Sequence, residues 1–334
     1  MITLRPRIGP LNARRNCPHY CPPNRAFSLI ELLVVIAIIA LLIGILIPAV
    51  AGVRQRARLL KDQSQQRNIV QGLATWAASN DSEYPLPSLI DRADATMATS
   101  EDYQKDNTGN IFSVMIWQRI VPAEALVTPA EVHVNIQVDS GYQFDSPAAA
   151  ADPTRAVFDP GFAGVPFEQG TGTGTGRRGG ADAVGGTSYA TVIPFGQRQA
   201  AWKPVTQNAL PLLASRGPEY IGIPGDWDLK PGPTGTRSNT LRIWGTSSAW
   251  RGNVGWNDGH VTHFQQPDPR EITFTFSTAS NARDNIFVNE NDQNGAASLE
   301  QNPGQNANTL LRAYWNIQAM GPRRTDARIT TFVD

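Results

Sequence analysis

Cysteine is nearly absent from this sequence: there are 2 in 334 residues, Cys17 and Cys21, and none occurs later. No disulfide framework can staple the remaining chain, so it must be held by an apolar core, for which its length is sufficient. Cys17-Pro18-His19-Tyr20-Cys21 offers only three plausible metal ligands, and no second cluster completes a site. Histidine is equally scarce, at 4, one of them within that same segment. There is no G-x-S-x-G elbow, no H-E-x-x-H helix and no cysteine nucleophile after residue 21, which points away from catalysis.

Acid is missing from residues 1–26, which carry Arg5, Arg7, Arg14, Arg15 and Arg25. The overall balance is 29 basic against 29 acidic residues, so the rest of the chain holds 24 against 29 and is mildly negative. A surface that coats nucleic acid needs a basic stripe on its folded part, so no nucleic-acid partner is expected. The asymmetry reads instead as a cytoplasmic leader.

Beyond the leader the chain is apolar almost without interruption from Phe27 to Val53. As a helix, Phe27 to Ile47 rises roughly 31 Å, the thickness of a bilayer's hydrocarbon core. The run is too long for an ordinary secretory signal, and no A-x-A site succeeds it. The basic leader orients the N terminus inward, whereas Arg54, Arg56, Arg58 and Lys61 oppose that orientation. Glu31 stands out as an acid inside the apolar run, where a carboxylate costs roughly 3 kcal/mol or more. It is either an interfacial acid or one that awaits a positive partner.

Arg25-Ala26-Phe27-Ser28-Leu29-Ile30-Glu31-Leu32-Leu33 resembles the cleavage and N-methylation signal of the type IV pilin and type II secretion pseudopilin superfamily. The resemblance covers about the first 60 residues and departs at Ala26, where glycine is usual. It implies a cut by prepilin peptidase between Ala26 and Phe27, and methylation of the new amine of Phe27. Glu31 then becomes the fifth mature residue, the family's assembly glutamate, and Pro48 its helix-kinking proline. The implied partners are prepilin peptidase, other pilin-like subunits, an inner-membrane assembly platform and the membrane itself. The implied location is the inner (cytoplasmic) membrane, crossed once, with the C-terminal domain periplasmic or extracellular.

After Pro48 the pattern becomes amphipathic: Val50, Val53, Ala57, Leu60, Val70, Leu73, Ala74 and Ala77 recur at helical spacing, with Ser64 and Arg67 weakening the stripe. This helix should end near Asn80, before Tyr84-Pro85-Leu86-Pro87. The expected division is a removed leader at 1–26, a transmembrane helix at 27–53, its amphipathic continuation at 54–84 and an exported domain at 85–334. The expected fold class is α+β, the long helix packed on a mainly antiparallel sheet. Ile111 to Ala125 reads as a helix, 132–138 as a strand with His133 on its wetter face, and 145–186 as a long surface loop. Leu310–Ile317 and 329–333 read as packing elements.

Several further segments invite a chemical reading. Gly174-Thr175-Gly176-Arg177-Arg178-Gly179 fits G-x-G-x-x-G, but its flanks supply neither the strand nor the helix that a nucleotide site needs. Asp258-Gly259 between alternating runs signals a hairpin. With Ser188-Tyr189 it also resembles the large pilin-like proteins of planctomycete-type bacteria, whose motif is His, nine residues, Asp-Gly. Here Ser248 occupies the histidine position, so that role does not transfer. His260 and His263 with Asp258 suggest a metal, but strand geometry sends 260 and 263 to opposite faces. Glu290, Asp292 and Asn294 resemble a calcium loop, although Gln301 replaces the bidentate acid at its twelfth position. A polar turn is the favoured reading there, and no cofactor is expected, with calcium the alternative. The functional readings are a non-catalytic pseudopilin-like subunit, a pilin-like adhesion or DNA-uptake subunit, and an anchored exported binding domain that does not polymerise.

Overall fold

The computed structural model describes residues 28–166, 184–204, 210–276, 280–289 and 308–334. The chain divides into two compact units, Met1–Arg54 and Gln55–Asp334. The fold class is α+β: a long, apolar N-terminal helix and a domain built mainly on antiparallel sheet.

Helix α1 spans Leu29–Ala77. In the first unit its side chains are exposed from Leu29 through Ala49, and none of its most apolar 18-residue window is buried. Among the described residues this is the one helix long and apolar enough to cross a membrane. Pro48 lies inside it without ending it, although a proline cannot donate the usual hydrogen bond to the carbonyl four residues back.

In the second unit the buried face of α1 comprises Asp62, Gln65, Gln66, Ile69, Val70, Gly72, Leu73 and Ala77. The predicted stripe is therefore corrected at its start, because Val53, Ala57 and Leu60 are exposed. Polar side chains take over the face between them and Ile69. Gly72 is needed for close approach: a Cβ there would lie 2.9 Å from Ile120 Cγ2 and from Val121 Cγ2. After Ala77 the chain turns through Asp81 and Ser82, both at positive φ, which ends the helix close to its expected limit.

A single turn, α2 (Pro87–Ile90), precedes α3 (Thr108–Trp117). Asn107 caps α3 by accepting from the Asn110 amide at 2.8 Å. The helix stops well before its expected limit at Ala125, because Arg119 turns the backbone to φ 56° and Pro122 lies just beyond. The expected strand at 132–138 is also corrected. Glu131 takes the amides of Val132 and His133, His133 takes that of Asn135, and only Ile136 bridges, to Gly185. Side chains have diverted the donors that a ladder requires. His133 is half-buried, its ring edge-on to Phe332. Residues 145–166 are irregular as expected but not superficial: Phe158, Asp159, Phe162 and Val165 are buried. The Gly174–Gly179 run lies outside the described residues.

The strands are β1 (Tyr189–Val192), β2 (Pro211–Ser215), β3 (Tyr220–Ile223), β4 (Asp226–Leu229), β5 (Gly252–Trp256), β6 (Val261–Phe264), β7 (Thr273–Phe274), β8 (Ala282–Arg283), β9 (Leu311–Ala319) and β10 (Ala327–Phe332). Six of them form one antiparallel sheet in the order β10-β9-β1-β2-β5-β6, while β3–β4 and β7–β8 are separate hairpins. The C-terminal apolar segments pair with each other as β9 and β10. The core joins Ile69, Val70 and Leu73 of α1 with Phe112 and Met115 of α3, and both with Leu213, Val254 and Tyr314 of the sheet.

Asp284 is one of several carboxylates buried beyond the helix. It is 1% exposed and accepts from Asn308 Nδ2 at 3.0 Å and from the Thr309 amide at 2.7 Å. Burial pushes its pKa up to about 7, against those hydrogen bonds and the nearby Arg198 charge. Because the folded value lies above the ordinary one, this residue's stabilising contribution is complete below about pH 4 and is lost as pH rises through about 7. The loss amounts to something on the order of 4 kcal/mol at roughly 1.4 kcal/mol per unit. The unfolding midpoint should therefore fall between pH 5 and pH 8, and Asp284→Asn should flatten that slope; an unchanged slope in the variant would assign the dependence elsewhere.

Candidate functional site

The first candidate site is the start of α1. Ser28 Oγ accepts from the Ile30 amide at 3.3 Å, and Glu31 Oε2 accepts from the Ser28 amide at 2.9 Å. This reciprocal cap satisfies donors that a helix N-terminus otherwise leaves open, and it places a negative charge at the positive end of the helix dipole. Glu31 thus has a local role that its position in the apolar run did not reveal. Its side chain remains exposed, as do the apolar residues around it. Ala26 and Phe27 lie outside the described residues.

The second site is the mooring of α1 on the sheet. Asp62 is fully buried, and three donors surround its carboxylate. Tyr189 Oη of β1 donates to Oδ1 at 2.8 Å; Asn253 Nδ2 of β5 and Gln66 Nε2 donate to Oδ2 at 2.6 and 3.1 Å. The network continues outward. Asn253 Oδ1 meets His263 Nδ1 at 2.9 Å, and Ser215 Oγ accepts from the Asn253 amide at 3.2 Å. Gln65 donates to the carbonyls of Glu124 and Val127 at 2.9 and 3.1 Å.

Burial raises the Asp62 pKa, and the surrounding hydrogen bonds oppose the rise. Burial likewise raises the Tyr189 phenol, reinforced by the adjacent Asp62 charge. Burial lowers His263, with Arg251 adding to the effect, so its ring is neutral near pH 7 and its Nδ1–H faces Asn253. These groups hold one another in place. Sequence reading treats this part of the stripe as weakened; the available signal is that Asp62, Gln65 and Gln66 continue the spacing of Ile69, Val70, Leu73 and Ala77.

The Asp258-Gly259 turn joins β5 to β6, in the register Gly255 to Val261, with Gly259 at φ 94°. Asp258 Oδ1 accepts from the His260 amide at 3.1 Å and meets its Nδ1 at 2.6 Å, while the imidazole stacks on Trp256 at 5.0 Å. Ser248 precedes β5 and Asp258 succeeds it, so a strand roughly 17 Å long lies between the two positions along the chain. Ser248 is exposed and meets Thr246 Oγ1 at 3.2 Å. His263 turns to Asn253 and His260 to Asp258, so the two histidines serve different partners. Among the described residues no three His, Cys, Asp or Glu side chains gather as a metal site. Glu290, Asp292 and Asn294 lie outside those residues.

A sequence family described as the prokaryotic N-terminal methylation motif matches residues 21–47, spanning Glu31 and nearly all of the bare apolar face of α1. The chain carries a type IV pilin-like signal. That signal marks a pilin-like substrate of prepilin peptidase, and the apolar helix after it fits a membrane-anchored protein. No curated protein and no solved structure matches the chain.

The pilin-like signal ends before the mooring begins, so the two sites can be tested separately. Tyr189→Phe deletes one donor to a buried carboxylate and should destabilise the Gln55–Asp334 unit by about 1–3 kcal/mol. In a double-mutant cycle with Asp62→Ala, the coupling should reach at least about 0.5 kcal/mol. Denaturant titration of the detergent-solubilised chain measures both, and additive losses would show that the contact contributes no stability of its own.

Proposed function

We propose that the chain is a non-catalytic subunit of a pilin-like filament, a type II secretion pseudopilus or a related assembly. The observation that carries this reading is the coincidence of the methylation-type signal with an apolar helical stretch, residues 29–49, whose side chains are left exposed by the described residues. Lipid covers such a face before assembly, and the helices of other subunits cover it afterwards. Prepilin peptidase cuts between Ala26 and Phe27, and the amine of Phe27 is then methylated. The helix sits in the inner membrane with the C-terminal domain on the periplasmic or outer side, in contact with an assembly platform.

In the filament, Glu31 faces the Phe27 amine of a neighbouring copy. Pairing opposite charges there removes the cost of holding either alone in hydrocarbon and sets the axial register of the helices. Pro48 leaves a backbone carbonyl free within the helix, which permits local bending where neighbouring helices re-cover it. A second reading draws on the Ser28 amide that Glu31 already binds: an anchored exported domain that never polymerises, in which Glu31 serves only as a cap.

N-terminal sequencing of the membrane-extracted chain should begin at a methylated Phe27, and Ala26→Leu should leave the leader attached. Normal cutting of that variant would misplace the scissile bond. Glu31→Gln keeps an acceptor for the Ser28 amide but loses the charge, so it should insert and be processed yet fail to enter sheared filaments. Incorporation at the normal level would favour the anchored reading.

A further inference from the structure

Arg54, Arg56, Arg58 and Lys61 follow the apolar run of α1 directly, and no acid occurs between Glu31 and Asp62 to offset them. Asp62 itself is buried and engaged by Tyr189, Asn253 and Gln66. Arg56, Arg58 and Lys61 are exposed, and none of them forms an ion pair among the described residues. Bases spaced this closely on one helix repel one another unless an anion lies against them.

Helical position sorts these bases. Arg58 and Lys61 lie one turn before Asp62 and Gln65, so they continue the docked face of α1 towards its apolar stretch. Arg56 lies on the opposite face, with Arg67 three turns further on. The sheet supplies a third base to the docked face. Asn253 of β5 meets Asp62 and Gln63, and a Cβ on Gly255 would lie 3.1 Å from Val70 Cγ2. Strand and helix therefore run the same way along this contact. Two residues back from Asn253, roughly 7 Å of strand, Arg251 comes level with the turn of α1 that carries Arg58. Arg251 is half-buried, its Nε is buried without a hydrogen-bond partner, and it too forms no ion pair among the described residues. Burial, with the Arg251 charge adding to it, lowers the pKa of His263, whose ring meets Asn253. That effect fits a guanidinium on the side of the sheet that faces α1.

Three cations with no neighbouring acid select an anion, and their place on the chain selects its source. Arg58 is five residues past Val53, where the apolar run ends, and Lys61 is eight past it, roughly 8 and 12 Å of helix. Helical side chains lean towards the N terminus, and long basic ones carry their charge to the phosphate level of a bilayer. Guanidinium groups meet phosphate oxygens with paired N–H donors. We propose that Arg58, Lys61 and Arg251 bind the headgroup of an anionic phospholipid where α1 leaves the bilayer. The site rests on the membrane-anchored reading of α1 and not on filament assembly. A headgroup held there neutralises three bases that the described residues leave unpaired.

The full chain, reconstituted in phosphatidylcholine vesicles, is probed with trace spin-labelled phosphatidylglycerol and phosphatidylcholine, and electron paramagnetic resonance gives their relative affinity. Carbonate extraction reports insertion separately, so a chain that fails to anchor is distinguished from one that fails to select a lipid. Phosphatidylglycerol should be preferred, and Arg58→Gln/Lys61→Gln should reduce the preference at least about threefold. Arg251→Gln should reduce it in the same direction, as should raising the salt to about 0.5 M. Arg56→Gln/Arg67→Gln removes as much charge from the opposite face and should keep the preference. The leader arginines are the same in every variant and cancel in the comparison. The exposed pair Arg58 and Lys61 keeps the test decisive even if the half-buried Arg251 variant fails to fold. An unchanged preference in Arg58→Gln/Lys61→Gln would overturn the proposal, as would an equal loss in Arg56→Gln/Arg67→Gln. Loss of crosslinked dimers with lipid selectivity intact would also overturn it, assigning the bases to an acidic surface on a second copy.

Discussion

A carboxylate removed from water must find donors or give up its charge, and the docking of α1 is organised around that demand. Asp62 meets it with a phenol from β1, a carboxamide from β5 and a glutamine one turn along its own helix. The contact ties α1 to β1 and β5 at once, the two strands that flank β2 in the sheet. Hydrogen bonds are directional, so a rotation or slip of the helix that apolar packing would tolerate breaks this arrangement. The apolar contacts at Ile69, Val70 and Leu73 supply burial, and the polar contacts supply register.

The same logic explains what could be read from the sequence. The membrane-length helix, the Asp258-Gly259 hairpin and the C-terminal strands arise from local periodicity and turn chemistry, which act over a few residues. The antiparallel, mixed character of the domain is written in its Gly-, Pro- and Thr-rich composition with short apolar runs. The failures occur where side chains intervened from outside the local pattern. At 132–138 a period-two alternation was present, yet the Glu131 carboxylate took the amides that a ladder would have used. In α3 the apolar pattern ran on past Trp117, but the backbone at Arg119 reversed and Pro122 barred a continuation.

The candidate sites divide along the same line. Glu31 was conspicuous because an acid among apolar residues violates a one-dimensional rule. Its bond to the Ser28 amide was less visible, although the Ser-x-x-Glu spacing of a capping box was there to read. Asp62 was missed because an aspartate in a helix with mixed neighbours looks like a solvated face. Its significance depends on Tyr189 and Asn253, which lie far along the chain and come together only in the sheet.

The bare stretch of α1 bears on how such a protein can change over time. Among the described residues every side chain from Leu29 to Ala49 is exposed, whereas the helix from Asp62 onward carries a buried face, down to the absence of a methyl group at Gly72. The two stretches of one helix therefore answer to different constraints. Upstream substitutions are judged by lipid and by neighbouring subunits, and those downstream by a fixed set of internal contacts. Recombination that joins a foreign membrane segment ahead of Asp62 disturbs none of the domain's own packing, while a junction a few residues later must carry Asp62, Gln66 and Gly72 with it.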